Sequence, residues 1–366
     1  MNLLVPNLGS TSLKYRILRM PEEEPLAAGK FERVADYEAA IRRIPFDSFP
    51  VDAVAFKTVH GGPDYCGTFL ADEGVKAALE RFLPAAPAHN RIYLEGLRAF
   101  EKALPGVPLV AAFETEFHAT MPGYARTYGV PLDWREAGIQ RYGFHGASHQ
   151  FVSEAAPRML GGPVRRLVSC HLGGSSSICA ILDGRSIDTT MGFSPQSGLE
   201  NATRHGDVDL FAALAMMEWR GWSPREVSDQ LAKGGGLAGL SGIAGGDVRD
   251  LEAAGTAEAR LALDVFVYQV RKTIGAYAAV LGGLDVIVFT GGIGENAAGL
   301  RRRICWPLEF LGVTLDPDRN DHGAGDRVIS PAGSAVTVLV LTTNEEVIVA
   351  RRAYALLTRR NEAASR

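Results

Sequence analysis

Cysteine is scarce: Cys66, Cys170, Cys179 and Cys305 are four thiols among 366 residues, and no two of them form a CxxC pair. Neither a disulfide framework nor a zinc site is expected, and all four are read as buried thiols packing like small hydrophobes. An excess of either charge is missing as well, with 38 basic against 42 acidic side chains, a formal net charge of −4 and a pI near 6.1. No nucleic-acid partner is expected without a basic surplus. No apolar run reaches about 18 residues without a charge, and MNLLVPNLGS has no basic stretch ahead of an apolar one. The expectation is a soluble, cytoplasmic chain with no membrane partner. Low complexity is also absent, since 41 glycines and 19 prolines sit in a background 46% hydrophobic and 22% charged, with a mean hydropathy of +0.02. That excludes a disordered or fibrous protein and turns the glycine surplus into a sign of many tight turns. At roughly 100–200 residues per domain, the length allows two globular domains, or three.

What is present alternates short apolar runs with longer amphipathic ones, the pattern of an α/β protein. Strands are expected at Asn2–Val5, Lys14–Leu18, Ala53–Val59, Leu109–Phe113, Leu167–His171, Ile178–Leu182, Val286–Thr290 and Thr337–Leu341. The clearest helix runs from Ala257 to about Leu281, where Leu261, Val265, Tyr268, Ile274, Tyr277 and Leu281 fall near 3.6 spacing before Gly282–Gly283. One internal echo stands out: Met1 to Leu18 and Arg166 to Leu182 each read apolar strand, polar residue, Leu-Gly, Ser/Thr-rich turn, apolar strand, with the turns 164 positions apart. Two readings are open. The hairpins are unrelated and merely share turn residues, or they open two copies of one α/β domain whose backbone N–H groups and hydroxyls face a shared cleft, a composition that suits phosphate.

Several segments carry chemistry. NLGSTSLK places Asn7, Ser10, Ser12 and Lys14 in one turn and its outgoing strand, and alternation aims Ser10, Ser12 and Lys14 to one side. HLGGSSS, from His171 to Ser177, offers similar donors from the second half. FTGGIGENA follows an apolar strand and opens a helix, so it reads either as a plain connecting turn or as a turn held against an anionic ligand; GGIG is not the GxGxxG of a dinucleotide fold. His60, His118, His145, His149 and His171 are each open to a core reading, yet four of them stand at or just beyond strand ends beside glycines, where open α/β sheets place ligands. Arg204 in TRHGD, and Asp247 with Arg249 in GGDVRD, are either solvated surface charge or a clamp for a transferring phosphoryl group. TNEE, after the last strand, offers carboxylates to the hydration shell of Mg²⁺.

In this order, NLGSTSLK, VHGG, FHATMP, RYGFHGASH, HLGGSSS, GRSIDTTMGFSP, TRHGDVD, GLAGLSG, GGDVRD, FTGGIGEN and TNEE resemble the acetate kinase (acetokinase) family, within the superfamily of acetate and sugar kinases, heat-shock ATPases and actin (ASKHA). The resemblance spans nearly the whole chain. It implies two duplicated ribonuclease H-like, actin-like ATPase domains with a nucleotide cleft between them: 1–116 with 347–366, and 117–346. It implies reversible phosphoryl transfer between ATP and acetate, or a related acid such as propionate, giving acyl phosphate and ADP, with Mg²⁺ or Mn²⁺ and a homodimeric assembly. No general base stands out in the residues, and a carboxylate acceptor is already ionised at neutral pH.

By the same resemblance, Asn7, Ser10, Ser12 and Lys14 address phosphate and metal, and Glu345 holds the metal with Asn7. Arg204 and His145 stabilise the transferring group with support from His171, and Lys57 and Glu114 stand at catalytic positions. Gly173, Gly174, Asp247, Val248, Arg249, Gly292, Ile293, Gly294 and Asn296 bind nucleotide, and Val59, Ala88, Phe144 and Pro195 form the acyl pocket. The chain departs from the family at five of its motif positions: Lys57 stands for an arginine, Glu114 for an aspartate, Gly174 for an asparagine, His205 for a serine and Ala88 for a leucine. A shorter cation and a longer carboxylate are expected to compensate as a pair, and Ala88 to enlarge the acyl pocket. The other readings are a kinase for a different acceptor and a noncatalytic nucleotide-binding protein.

Overall fold

The computed structural model describes residues 1–364, apart from the side chains of Ala88 and Ala364. Two six-stranded sheets carry it. The first is built from β1 (Asn2–Gly9), β2 (Ser12–Arg19), β3 (Glu24–Glu32), β4 (Ala53–Thr58), β5 (Thr68–Leu70) and β6 (Leu109–Phe113), and the second from β7 (Arg166–His171), β8 (Ser177–Leu182), β9 (Arg185–Thr189), β10 (Val286–Thr290), β11 (Arg327–Val328) and β12 (Thr337–Val340). Their orders are β3-β2-β1-β4-β6-β5 and, read in the same sense, β9-β8-β7-β10-β12-β11.

The match extends to strand direction. In each sheet three strands form an antiparallel meander, two more add in parallel, and a short last strand pairs antiparallel at the edge. Two unrelated hairpins would not each be continued in the same order, so the echo between Met1–Leu18 and Arg166–Leu182 marks two copies of one topology. The parallel strands are buried on both faces, which is why LVAAF and VIVFT read as unbroken apolar runs rather than alternating ones. Along β1 the alternation is resolved by two cores: Leu4 and Leu8 face one, Leu3 and Val5 the other.

The helix Glu345–Ala364 covers that second face of the first sheet, setting Val347, Val349, Ala350 and Ala353 among Leu3, Val5, Ala53, Ala55 and Val110. The last helix of the chain therefore returns to the first sheet. The helix Ala257–Val280 forms where expected, capped by Thr256 Oγ1, which accepts from the Ala259 N–H at 3.1 Å. Its buried face is only partly the one predicted, with Ile274, Tyr277 and Leu281 inside. Ala259, Ala262, Leu263, Phe266, Val267, Val270, Ile274, Tyr277 and Ala278 face the core, while Leu261 and Tyr268 are more than half exposed. Ala259, Ala262 and Ala278 let the helix pack closely between its larger buried residues, while Leu261 and Tyr268 turn outward.

Cys170, Cys179 and Cys305 are buried thiols, whereas Cys66 is only half-buried, in the loop that follows His60 and donating to the Gly62 carbonyl at 3.1 Å. Among the described residues no helix is long and apolar enough to cross a membrane.

Candidate active site

A cavity of about 280 Å³ opens where the two sheets face each other, lined by Asn7, Leu8, Lys57, Val59, His89, Ile92, Tyr93, Glu114, Phe144, His145, Ser175, Pro195 and Arg204. Strand ends place most of its chemistry. Lys57 is the penultimate residue of β4, Val59 follows its end, and Glu114 follows β6, its N–H donating to the Thr58 carbonyl at 2.8 Å. Outside the carboxyl ends of parallel strands is where an open α/β sheet leaves room for a ligand. His145 starts the helix Gly146–Leu160 with φ +57°, a left-handed conformation that a side chain rarely adopts. The next position must be glycine, because a Cβ there would meet the Glu114 carbonyl oxygen at 2.0 Å. The corner that aims His145 is thus pressed against the backbone of Glu114.

Charge in this cavity is concentrated and only partly paired. The Lys57 ammonium forms a close ion pair with Glu345, from the start of the returning helix, and lies 3.9 Å from Glu114. Burial pulls Lys57 down, and the carboxylates of Glu345 and Glu114 push it up by more, so it stays a cation. Glu114 is almost fully buried with both carboxylate oxygens lacking a hydrogen-bond partner at ordinary distance. Burial raises it, against the pull of Lys57 and with the push of Glu345. Arg204 donates to Ser175 Oγ at 2.9 Å and to His89 Nε2 at 3.3 Å, and among the described residues it has no carboxylate partner. Burial, then Arg204 and Lys57, hold His89 down to about 4, which leaves its ring neutral and able to accept from the guanidinium. A half-buried guanidinium with neutral partners and a free face on a cavity calls for an anion. His145 and His171, whose rings lie 4.4 Å apart, are both pulled below an ordinary histidine, first by burial, and are neutral rings rather than cations.

A second, larger cavity of about 560 Å³ adjoins it, and glycine backbone forms much of its wall: Gly173, Gly174, Gly245, Gly246 and Gly292, with Ala202, Val248, Ile293 and Ala297 between them and Asp247, Arg249, Glu252 and Asn296 at polar positions. Gly246 has φ +58°, and a Cβ on it would meet the Ala202 carbonyl at 2.2 Å, so the groove reaches its width only with glycine there. Asp247 caps the helix Val248–Ala254 and forms a two-pronged pair with Arg249, at 3.0 and 2.6 Å. Gly292 opens directly onto the groove in the first turn after β10. Buried Arg301 holds that turn from behind, donating to the carbonyls of Gly294 at 2.8 Å and Glu295 at 2.9 Å.

The two cavities meet at the loop 172–176 between β7 and β8. Gly173 and Gly174 face the groove and Ser175 faces the charged cavity. Ser176 braces the loop, its hydroxyl donating to the Gly173 carbonyl at 3.0 Å and accepting from the Gly173 N–H at 3.1 Å, while its own N–H is held by Asn201.

Of the residues singled out from sequence, Asn7, Lys57, Val59, Glu114, Phe144, His145, Pro195 and Arg204 share the first cavity, and Gly173, Gly174, Asp247, Val248, Arg249, Gly292, Ile293 and Asn296 share the groove. His171 and Glu345 stand just behind, against His145 and Lys57. Gly294 is buried beneath the groove wall. Ser10 is exposed on the hairpin tip and Ser12 half-buried beside it, and Lys14 lines a surface hollow with Asn7, Tyr15, Arg16 and Lys30, so Asn7 borders both that hollow and the first cavity. The Ala88 side chain lies outside the described residues. His60 stacks on Phe82 and holds the Phe193 carbonyl at 2.9 Å, and His118 bonds Ser186 Oγ and the Phe144 carbonyl, so both brace the core. His89, Ser175, Ile92, Tyr93 and the Gly245–Gly246 pair were missed, although HLGGSSS and GGDVRD contain three of these six residues and His89 directly follows Ala88.

The acetokinase family model matches residues 42–351. The chain is 40% identical to the acetate kinase of Carboxydothermus hydrogenoformans over 98% of this chain and 99% of that one, and 41% identical to the acetate kinase of Caldanaerobacter subterraneus subsp. tengcongensis over 96% and 98%. The chain belongs to the acetokinase family. The fold agrees: the crystal structure of Porphyromonas gingivalis acetate kinase superposes with a TM-score of 0.88 at 36% identity, covering 97% of this chain and 99% of that one. That of a propionate kinase from Francisella tularensis gives 0.87 at 31% identity, covering 96% and 98%. This acetokinase-family chain is accordingly an ATP-binding carboxylate kinase with the ASKHA fold, and the readings as a noncatalytic nucleotide binder or a kinase for another kind of acceptor are not favoured.

Proposed function

We propose that this acetokinase-family enzyme transfers the γ-phosphoryl group of ATP, reversibly, to acetate or a related short-chain acid such as propionate, giving acyl phosphate and ADP. The observation that carries the reading is the loop 172–176, which lines the glycine groove with Gly173 and Gly174 and the charged cavity with Ser175. A nucleotide in the groove would bring its terminal phosphate past that loop toward Arg204, His145 and Lys57. The acceptor carboxylate is already ionised, so the residues' task is to hold two anions together and neutralise the charge that moves between them. Arg204 would grip the transferring group, His145 would donate to it with support from His171, and Lys57 and Glu114 would order the acceptor end. Leu8, Val59, Ile92, Phe144 and Pro195 leave a small apolar wall for a short acyl chain.

The donor set fits a divalent cation. Among the described residues no group of three or more His, Cys, Asp or Glu is placed to hold a metal. Asn7 and Glu345 supply one or two hard oxygens, which suits Mg²⁺, or Mn²⁺ in its place, an ion that keeps several waters and is completed by substrate phosphates. Such an ion would neutralise phosphate charge when bound. We place the domain division at 1–116 with 347–366, and 117–346, on the return of the last helix to the first sheet. We also take the chain to be a homodimer, because the helix Leu210–Arg220 buries none of its residues and leaves Leu210, Phe211 and Trp219 more than 60% exposed.

The direct test is hydroxamate trapping of acyl phosphate with ATP, Mg²⁺ and a panel of acids of two to five carbons. Product is expected with acetate or propionate; none with any acid would sink the proposal.

A further inference from the structure

Behind His145 runs a file of buried hydroxyls and imidazoles that the cavity wall itself does not use. Ser177 Oγ, at the start of β8, lies 2.8 Å from His145 Nδ1 and 2.8 Å from His149 Nε2. His149 follows His145 by one helical turn, and its Nδ1 lies 2.9 Å from Ser169 Oγ on β7. Ser169, His149 and Ser177 are fully buried, whereas His145 is half-buried and lines the cavity. The file has one dry end and one open end.

Proton counting sets its direction. A hydroxyl has one proton and a neutral imidazole has one N–H, so Ser177, facing two ring nitrogens, must donate to one and accept from the other. Suppose it donates to His145 Nδ1. Then His149 Nε2–H donates to Ser177, the Ser169 hydroxyl donates to His149 Nδ1, every proton in the file is used, and His145 presents Nε2–H to the cavity. In the reverse order His149 Nδ1–H donates to Ser169, whose own buried proton loses its acceptor, and His145 turns a lone pair toward the place where an anion enters. An unpaired buried donor and a lone pair facing an anion are both unfavourable. Both rings are uncharged, since burial first and the neighbouring imidazoles next hold His145 and His149 well below an ordinary histidine.

We infer that Ser177 is a positioning residue that fixes His145 as the Nε2–H tautomer, with His149 and Ser169 setting the direction of the Ser177 proton. The inference rests on the reading of His145 as a donor to the transferred phosphoryl group. It gives the buried file a role in catalysis without contact to substrate, as the partner of a functional imidazole often has.

The test is the tautomer itself. In the full-length enzyme labelled with ¹⁵N-histidine, long-range proton–nitrogen correlation, assigned with His145→Gln and His149→Gln, should show both rings protonated at Nε2. Ser177→Ala should give His145 a mixture of tautomers and lower kcat by about 10- to 100-fold with the KM for ATP unchanged, while Ser177→Thr keeps the tautomer and most of kcat. A wild-type His145 protonated at Nδ1 overturns the inference, as does a Ser177→Ala enzyme that loses kcat with its tautomer unaltered. If that variant does not fold, the wild-type spectrum decides, and Ser169→Ala, at the dry end, should show the same mixture. His145→Ala retaining full kcat would instead remove the phosphoryl role of His145 and leave the tautomer result standing.

Discussion

The charged cavity and the glycine groove share the loop 172–176, yet one is lined by ionised and hydrogen-bonding side chains and the other by glycine backbone among small apolar residues, with its charges at the rim. In the first, Lys57, Glu114, Arg204 and His145 supply charge and donors at defined atoms, Glu114 buried and the others half-buried, with Glu114 and Arg204 incompletely paired. In the second, glycines set a width, and the charged residues Asp247 and Arg249 satisfy each other at the rim. The difference matches the two tasks. Moving a phosphoryl group requires electrostatics aimed at the reacting atoms, whereas holding a nucleotide requires a surface its flat and charged parts can approach. Substitutions in the cavity should therefore act on kcat, and substitutions in the groove on the KM for nucleotide.

The largest effect is expected at Arg204. Arg204→Ala should lower kcat for acyl phosphate formation by about 10³-fold or more, as loss of a phosphoryl-clamping arginine does, with little change in the KM for ATP. Arg204→Lys should recover only part of that, because an ammonium lacks the planar fork. Hydroxamate trapping measures both. A loss of less than about tenfold in Arg204→Ala would put the reacting phosphoryl elsewhere.

Lys57 comes next, and its effect is on stability as well as rate. Lys57→Met leaves Glu114 and Glu345 near each other without their cation, and breaking a buried pair from one side costs about 3–5 kcal/mol, readable by urea unfolding near neutral pH. The pH dependence follows from the carboxylates. Glu114 is already raised by burial, and removing Lys57 raises both acids further, so the folded variant holds protons that the unfolded chain releases. Its stability then falls as pH climbs from the ordinary carboxylate value through the raised folded one. The deficit relative to wild type should be smallest near pH 5 and grow toward pH 8, and Lys57→Met with Glu345→Gln should regain part of it. A deficit that does not vary with pH would mean that the buried carboxylates are not its source.

These interactions also mark where sequence reading reaches and where it stops. Leu109–Phe113 and Val286–Thr290 were legible to the residue, because a strand buried on both faces is a bounded apolar run. Glu24–Glu32 was not, since its inward face is only half-buried Ala27, Gly29 and Phe31, too weak an apolar stripe to announce a strand between exposed Glu24, Lys30 and Glu32. Arg185–Thr189 and the two- and three-residue edge strands were too short to show a period. The duplication was legible in two hairpins, but its extent to six strands per copy was visible only in the pairing. At the site, residues beside glycine turns at strand ends were found because that is where open sheets leave ligand space. His89 meets Arg204 across 115 positions, and Lys57 meets Glu345 across 288. No local pattern encodes such pairings, so the resemblance supplied Lys57 and Glu345 as candidates and only the fold revealed that they touch.

A smaller effect, and one of the opposite kind, is expected at Gly246. Its φ of +58° and the 2.2 Å approach of a Cβ to the Ala202 carbonyl mean that Gly246→Ala must shift backbone on the groove wall. The strain should cost about 1–3 kcal/mol and raise the KM for ATP by about tenfold, with kcat at saturation nearly unchanged. Gly292→Ala is the control, because nothing lies within 4 Å of its Cβ and its backbone is ordinary. It should narrow the groove without straining it, shifting KM and leaving the unfolding midpoint in place. A kcat loss in Gly246→Ala with an unaltered KM would erase the contrast between the two cavities.

The smallest effect is expected at the rim. Arg249 is 87% exposed and its charge is taken up by Asp247, which also caps the helix Val248–Ala254. Arg249→Ala removes a solvated cation and leaves the cap, so the KM for ATP should rise no more than about threefold and the unfolding midpoint should stay put. Asp247→Ala removes the cap as well, which costs about 1 kcal/mol and should loosen the groove edge more than the loss of Arg249 does. The order of the two variants is the informative quantity. If Arg249→Ala proves the more damaging for nucleotide, then Arg249 leaves Asp247 for the phosphates in the loaded enzyme, and the groove draws on side-chain charge after all.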